Sequence, residues 1–292
     1  MDYETSSNAY QQISAALDSL EQDELLCNED NFVERIKALD FLELQMIGSI
    51  EQVNSQRAQR LKQKLDNANE RLFSRLLTSI RANDRVTLKQ YLQRYEQQVS
   101  ARTDEQYVGY DEIDMLVWGL LEVDLIPEES EELEPDMVFY QPSSTRTILR
   151  LINELETTVD DVFYDLGSGL GHVPILVNLL TGVRTKGVEI QEFYCRYSNK
   201  CLRKLGLSTV EFMNADARDV EYSDGTIFYM YTPFRGKVLQ QVLEKLEKQS
   251  KRRHIRVCTF GPCTAEVADH NWLQSIYLTG KNEGALGIFS SR

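Results

Sequence analysis

The strongest constraint on this chain is a change of hydrophobic period near residue 160. Five short apolar runs follow, over Val162 to Leu166, Gly187 to Ile190, Val210 to Met213, Ile227 to Tyr231 and Ile255 to Phe260. Helix-forming stretches lie between them, over Val173 to Leu180, Glu192 to Leu205 and Gly236 to Lys248. Continuous apolar runs of this length suit strands buried on both faces, and strands alternating with helices pair in parallel through right-handed crossovers. The pattern predicts an α/β, Rossmann-like doubly wound sheet. Trp272 to Leu278 and Ala285 to Ser290, separated by Thr279-Gly280-Lys281-Asn282-Glu283-Gly284, read as a C-terminal antiparallel hairpin that brings the sheet to seven strands.

The first part of the chain is of another kind. From Asn8 to Ser100 there is no proline and a single glycine, Gly48, among Leu, Gln, Glu, Arg, Lys and Ala, which is helix-forming composition. Leu61, Leu65, Leu72, Leu76 and Ile80 mark one helical face, and Asn83-Asp84 reads as a break and N-cap before Val86, Leu88, Tyr91, Leu92 and Tyr95. A further helix is expected from Tyr110 to about Glu122. The organisation expected is an all-α N-terminal domain over 1–126, an acidic linker over 127–137 and a sheet domain over 138–292 whose first helix is capped by Ser143 or Ser144.

Charge separates the same halves. Residues 1–150 hold 15 Lys and Arg against 29 Asp and Glu, residues 151–292 hold 17 of each, and the net charge is −14. Between Asp104 and Asp136 there are 13 acids and no Lys or Arg. Such a run repels phosphate backbones, so free nucleic acid is a poor partner, whereas a cationic partner would be attracted. A solvated acidic surface is the plainer reading of the same run. Five cysteines without a CxxC pair and three histidines argue against a disulfide framework or a metal site. No run approaches a membrane span, and the chain is expected to be cytoplasmic.

Ligands of open parallel sheets bind beyond the carboxyl ends of the strands. There the first run enters Asp165-Leu166-Gly167-Ser168-Gly169-Leu170-Gly171 and a helix follows. Glycines at 167, 169 and 171 permit a sharp turn and close approach of a ligand. Glu189, at the end of the second run, suits the two hydroxyls of a ribose, and Asp216 in Asn214-Ala215-Asp216-Ala217 suits an adenine amino group. Asp165 stands where a carboxylate meets the ammonium of an amino-acid ligand. Three acids without a fixed cation in the loop fit S-adenosylmethionine better than a dinucleotide diphosphate. The glycine spacing also departs from GxGxxG, Gly171 falling one position early.

On these residues the region from about Val138 resembles the class I S-adenosylmethionine-dependent methyltransferases. Phe163-Tyr164-Asp165-Leu166-Gly167-Ser168-Gly169 and Gly187-Val188-Glu189 are similar to the telomeric-silencing type of histone lysine methyltransferase that lacks a SET domain. The resemblance implies cofactor contacts at Tyr140, Asp165, Gly167, Ser168, Gly169, Gly171, Glu189, Asp216 and Ala217. It implies an acceptor channel at Tyr231, Thr232 and Phe234. This chain has Tyr231-Thr232-Pro233-Phe234 where those enzymes carry an Asn-rich segment, so lysine specificity is not transferred. The expected activity is methyl transfer to a protein lysine or other protein side chain. The alternatives are a small-molecule acceptor, a nicotinamide oxidoreductase, or a non-catalytic binding module. No metal is implied, and the helical part could serve as substrate lid, homodimer surface or docking module.

Overall fold

In the computed structural model, which describes residues 3–47, 52–100, 109–123, 134–279 and 284–292, the N-terminal sequence forms α1 (Tyr3–Gln22), α2 (Phe32–Ile47), α3 (Gln52–Arg81), α4 (Arg85–Ser100) and α5 (Glu112–Leu121). α3 has 30 residues and so runs about 45 Å. Asn83, at φ +59°, turns the chain, and the Asp84 carboxylate caps α4 by accepting from the Val86 and Thr87 amides at 3.1 and 3.2 Å. This is the break the sequence predicts. α6 (Thr145–Glu154) starts where Ser144 caps it, its hydroxyl accepting from the Thr147 amide.

The alternating region then gives β1 (Val162–Leu166), α7 (His172–Thr181), β2 (Arg184–Glu189), α8 (Glu192–Leu205), β3 (Val210–Asn214), β4 (Ile227–Tyr231), α9 (Gly236–Ser250), β5 (Arg256–Phe260), α10 (Cys263–Ala268), β6 (Leu273–Leu278) and β7 (Leu286–Ser291). The strands form one seven-stranded sheet in the order β3-β2-β1-β4-β5-β7-β6, with β7 antiparallel to β5 and β6. The doubly wound sheet and its closing hairpin are those expected. Strand order reverses between β1 and β4, which opens a crevice at their carboxyl ends.

Two strands depart from their expected form. β3 lies at the sheet edge with Glu211 exposed, so it is not buried on both faces. β2 begins three residues earlier than its apolar run, at Arg184. Polar residues enter this strand because the Lys186 ammonium sits over the Tyr164 ring, 5.4 Å from the centroid, and donates to Asp224 at 2.8 Å.

Each face of the sheet has its own core. α9 and α10 cover one face through Val238, Leu239, Val242, Leu243, Leu246 and Val267. On the other face, α6, α7 and α8 share a single cluster with Leu72, Leu76 and Ile80 of α3, Leu88, Leu92 and Tyr95 of α4, and Leu116 and Leu120 of α5. The helical part therefore packs into the sheet's own core at its base. Its far end has a separate small core of Leu17, Leu26, Leu39, Leu42, Ala58, Leu61 and Leu65. Most of the expected linker, up to residue 133, lies outside the described residues.

Described acids of the Asp104 to Asp136 run meet partners elsewhere in the chain. Asp111 pairs with Arg146 at 2.9 Å, Glu122 with Lys204 at 2.7 Å and Glu134 with Arg218 at 2.8 Å. Asp136 accepts from the Lys237 amide at the start of α9, and Asp114 is buried. Asp111 and Asp114 are withdrawn from solvent, so the solvated-surface reading does not hold for those two, whereas Glu122 and Glu134 stay about half exposed and fit it.

Candidate functional site

The crevice at the strand reversal holds a cavity of about 380 Å³, within the range of small-ligand sites. Its walls come from the ends of β1, β2 and β4, the segment after β3, and residues 137–143. Gly167 and Ser168 line it, while Gly169 and Gly171 stand behind them in the loop. The sharp turn is the one the sequence predicts, and the crowding around it by distant side chains is what the sequence does not disclose. Gly167 is at φ +85° and a Cβ there would overlap Pro233, and Gly169 is at φ +51° where a Cβ would overlap the Tyr140 ring. The chain's own side chains close over the loop from two sides.

The acids expected to bind the cofactor all line the cavity. Asp165 is 3 % exposed, and burial first, then the Glu189 charge, holds its carboxyl well above the usual range. Glu189 accepts from the Gly169 amide and the Gln191 amide, each at 2.8 Å, which fixes it between the glycine loop and the start of α8. Burial raises its pKa against those hydrogen bonds. Asp216 is different. It accepts from the Arg218 amide at 2.8 Å and from the Arg218 guanidinium, whose hydrogen bonds lower its pKa, and the same guanidinium reaches Glu134. A ligand at Asp216 would share the carboxylate with Arg218. No Lys or Arg is among the described lining residues, so the Asp165 and Glu189 carboxyls have no cationic side chain beside them in the cavity wall.

The segment before α6 crosses the cavity. Met137 bridges Phe234, the Val138 amide donates to the Pro233 carbonyl at 3.0 Å, and the Arg235 amide donates to Asp136 at 2.8 Å. Tyr140 follows, partly buried, with its ring 5.0 Å from that of Tyr194 and its hydroxyl 3.4 Å from His172 Nδ1. His172 Nε2 lies 3.0 Å from the Ser143 carbonyl, which can only accept, so the ring proton sits on Nε2. Burial depresses its pKa to about 4, and the imidazole is neutral at pH 7. It holds the covering segment.

Of the expected acceptor-channel residues, Tyr231, Thr232 and Phe234 all line the cavity. The Tyr231 ring packs on Phe260 with centroids 4.8 Å apart. Thr232 is at φ +38°, and its hydroxyl donates to the Phe260 carbonyl at 3.0 Å while accepting from the Cys263 amide at 3.2 Å. That hydroxyl secures the turn after β4 against β5. The Cys263 thiol is buried and raised by desolvation, and it does not line the cavity.

Sequence reasoning missed Ser143, Ile190, Gln191, Tyr194 and Tyr229, all of which line the site. Ile190 and Gln191 directly follow Glu189 at a strand end, a position that signals them in retrospect. Tyr229 lies inside a strand and carries no such signal. Two buried atoms among the lining residues, Ser168 Oγ and Gln191 Oε1, have no hydrogen-bond partner among the described residues. Buried polar atoms are rarely left so, and a polar ligand fits here. No group of metal-binding side chains occurs among the described residues. No helix among them is long and apolar enough to cross a membrane.

A parallel sheet of this order, closed by an antiparallel β7 and carrying a glycine loop with Glu189 at the next strand end, has the class I methyltransferase fold. Residues 137–230 match the family described as Histone methylation protein DOT1, a match that covers about a third of the chain, from the covering segment to the end of β4. No curated protein matches the chain. Solved structures similar to it include an RNA methyltransferase from Salinibacter ruber in complex with S-adenosyl-L-homocysteine, at 23 % identity over 52 % of this chain and 92 % of that one, with a TM-score of 0.43. The putative methyltransferase yhhF from Escherichia coli aligns at 17 % identity over 54 % and 89 %, with a TM-score of 0.43. A ribosomal protein L11 methylase from Lactobacillus delbrueckii subsp. bulgaricus aligns at 14 % over 51 % and 78 %, with a TM-score of 0.40.

Proposed function

We propose that this chain is an S-adenosylmethionine-dependent methyltransferase whose acceptor is a protein side chain, in the first instance a lysine. The observation that carries the cofactor reading is the pair Asp165 and Glu189, both buried in a cavity without a lining Lys or Arg. Such a cavity disfavours a diphosphate and favours a ligand with a sulfonium and an ammonium group. The Glu189 oxygens each take one backbone amide and keep a lone pair for a ribose hydroxyl. Ser168 and Gln191 offer the two unpartnered atoms. The matched family, by its description, methylates histones, which supports a protein acceptor.

When bound, the cofactor supplies a methyl carbon to which an acceptor nitrogen's lone pair bonds as the carbon–sulfur bond breaks, sulfur keeping that pair and the nitrogen's proton passing to solvent. The chain's part is alignment and exclusion of water. Tyr140 and Pro233 cover the loop, and Tyr231, Phe234 and Phe260 give an apolar wall. The test is transfer of radiolabelled methyl from S-adenosylmethionine to proteins of a cell extract. Acid-stable label recovered as methyl-lysine supports the reading, and label confined to RNA or small molecules contradicts the acceptor assignment.

A further inference from the structure

The segment over the cavity is also held from the helical side. The Tyr110 hydroxyl donates to the Pro142 carbonyl at 2.8 Å and bonds the side chain of Gln141, a lining residue. Asp111, the N-cap of α5, takes the Arg146 guanidinium at 2.9 and 3.1 Å. Asp114 accepts from the Asp111 amide at 2.9 Å and from the Thr145 amide at 2.6 Å. Thr145 is the first residue of α6, so its N–H has no partner within that helix. One carboxylate, 1 % exposed, thus caps a helix of the N-terminal part and a helix of the sheet part together. From the sheet side the Ser143 hydroxyl meets the Tyr229 hydroxyl at 2.9 Å, and the Ser143 carbonyl meets His172.

Residues 142–145 are therefore fixed between α5 and the sheet, and Tyr140 stands two residues before the first anchor, over Gly169. This segment lines the cavity through Met137, Val138, Phe139, Tyr140, Gln141 and Ser143, so a ligand held there rests against it. We infer that Tyr110 and Asp114 are positioning residues for the cavity: they set Tyr140 over the glycine loop, and through them the helical part governs ligand retention. The inference rests on the S-adenosylmethionine reading. A clamp that merely joined two parts of the fold would change stability and leave ligand exchange untouched.

The experiment measures S-adenosylmethionine association and dissociation on the full chain for the wild type, Tyr110→Phe and Asp114→Asn. Leu42→Ala in the distant helical core serves as a destabilised control, and amide hydrogen exchange over residues 138–143 is followed without ligand. Tyr110→Phe keeps the ring against Trp118, 5.2 Å between centroids, and removes only the hydroxyl. Loss of one such hydrogen bond is expected to speed dissociation about threefold to tenfold, with association little changed and exchange over 138–143 faster. Asp114→Asn keeps one acceptor and is expected to act in the same direction, whereas Leu42→Ala does neither. Unchanged dissociation and unchanged exchange in Tyr110→Phe overturn the inference. A wild type that binds no S-adenosylmethionine overturns the cofactor reading, and exchange over 138–143 then decides the clamp alone: unchanged protection refutes it.

Discussion

The two ends of the helical region are built from similar sequence but do different work. At the far end, α1, α2 and the first half of α3 bury leucines and alanines among themselves. At the base, the second half of α3 with α4 and α5 buries its leucines in the same cluster as α7, α8 and the sheet. One amphipathic helix, α3, serves both cores in turn. Burial alone does not tell a satellite core from one that supports a site. What matters is which elements the buried face meets, and only the base continues into the segment that covers the cavity.

The largest expected effect is at the base. Leu120 is 1 % exposed in α5, and Leu120→Ala should cost about 2–5 kcal/mol by lost burial and cavity formation. Thermal unfolding should show that loss together with weakened S-adenosylmethionine binding. Leu42 is 0 % exposed at the far end, and Leu42→Ala should cost about as much while affinity stays within about twofold, since additivity holds for distant sites. Equal effects of the two substitutions on affinity would erase the distinction drawn between the ends.

A pH series sharpens it. Asp165 and Glu189 have raised pKa values, chiefly from burial. The folded-state value lies above the unfolded one, so these groups favour the fold at low pH, and that contribution is lost as pH rises through the raised values. A cationic ligand binds the ionised carboxylates and compensates them. The rise in melting temperature given by saturating S-adenosylmethionine should therefore be larger at about pH 8 than at about pH 5. Leu42→Ala should reproduce the trend. A ligand-induced shift independent of pH would mean that the two carboxylates do not meet the positive groups.

The smallest effect concerns His172. With its pKa depressed to about 4, it should add no inflection to the binding profile near its ordinary pKa of about 6.5. His172→Asn should keep the affinity's pH dependence while loosening the Ser143 carbonyl. An inflection near pH 6.5 that vanishes in the variant would give His172 a direct part in binding.

Local signals carried most of the fold into the sequence. Buried strands, the Asn83-Asp84 break and the Ser144 cap each depend on residues within a few positions, as does the turn at Gly167 and Gly169. What stayed hidden depends on distant partners. Arg184 and Lys186 made β2 look shorter because a cation can lie over Tyr164 and reach Asp224. Asp111 and Asp114 looked like part of an acidic surface because Arg146 and the Thr145 amide lie far along the chain. In the site, Asp165 and Glu189 could be named from position, whereas the Asp216 pairing with Arg218 and the engaged Thr232 hydroxyl could not.

The most direct test of the account is calorimetric titration of the full chain with S-adenosylmethionine, run beside Glu189→Ala. Removing Glu189 strips the Gly169 and Gln191 amides of their acceptor as well as the ligand of its carboxylate. The account predicts saturable one-to-one binding by the wild type and a loss of about 100-fold or more in a variant that still unfolds cooperatively. A well-folded wild type that takes up no S-adenosylmethionine, or a variant that binds it equally well, would contradict it.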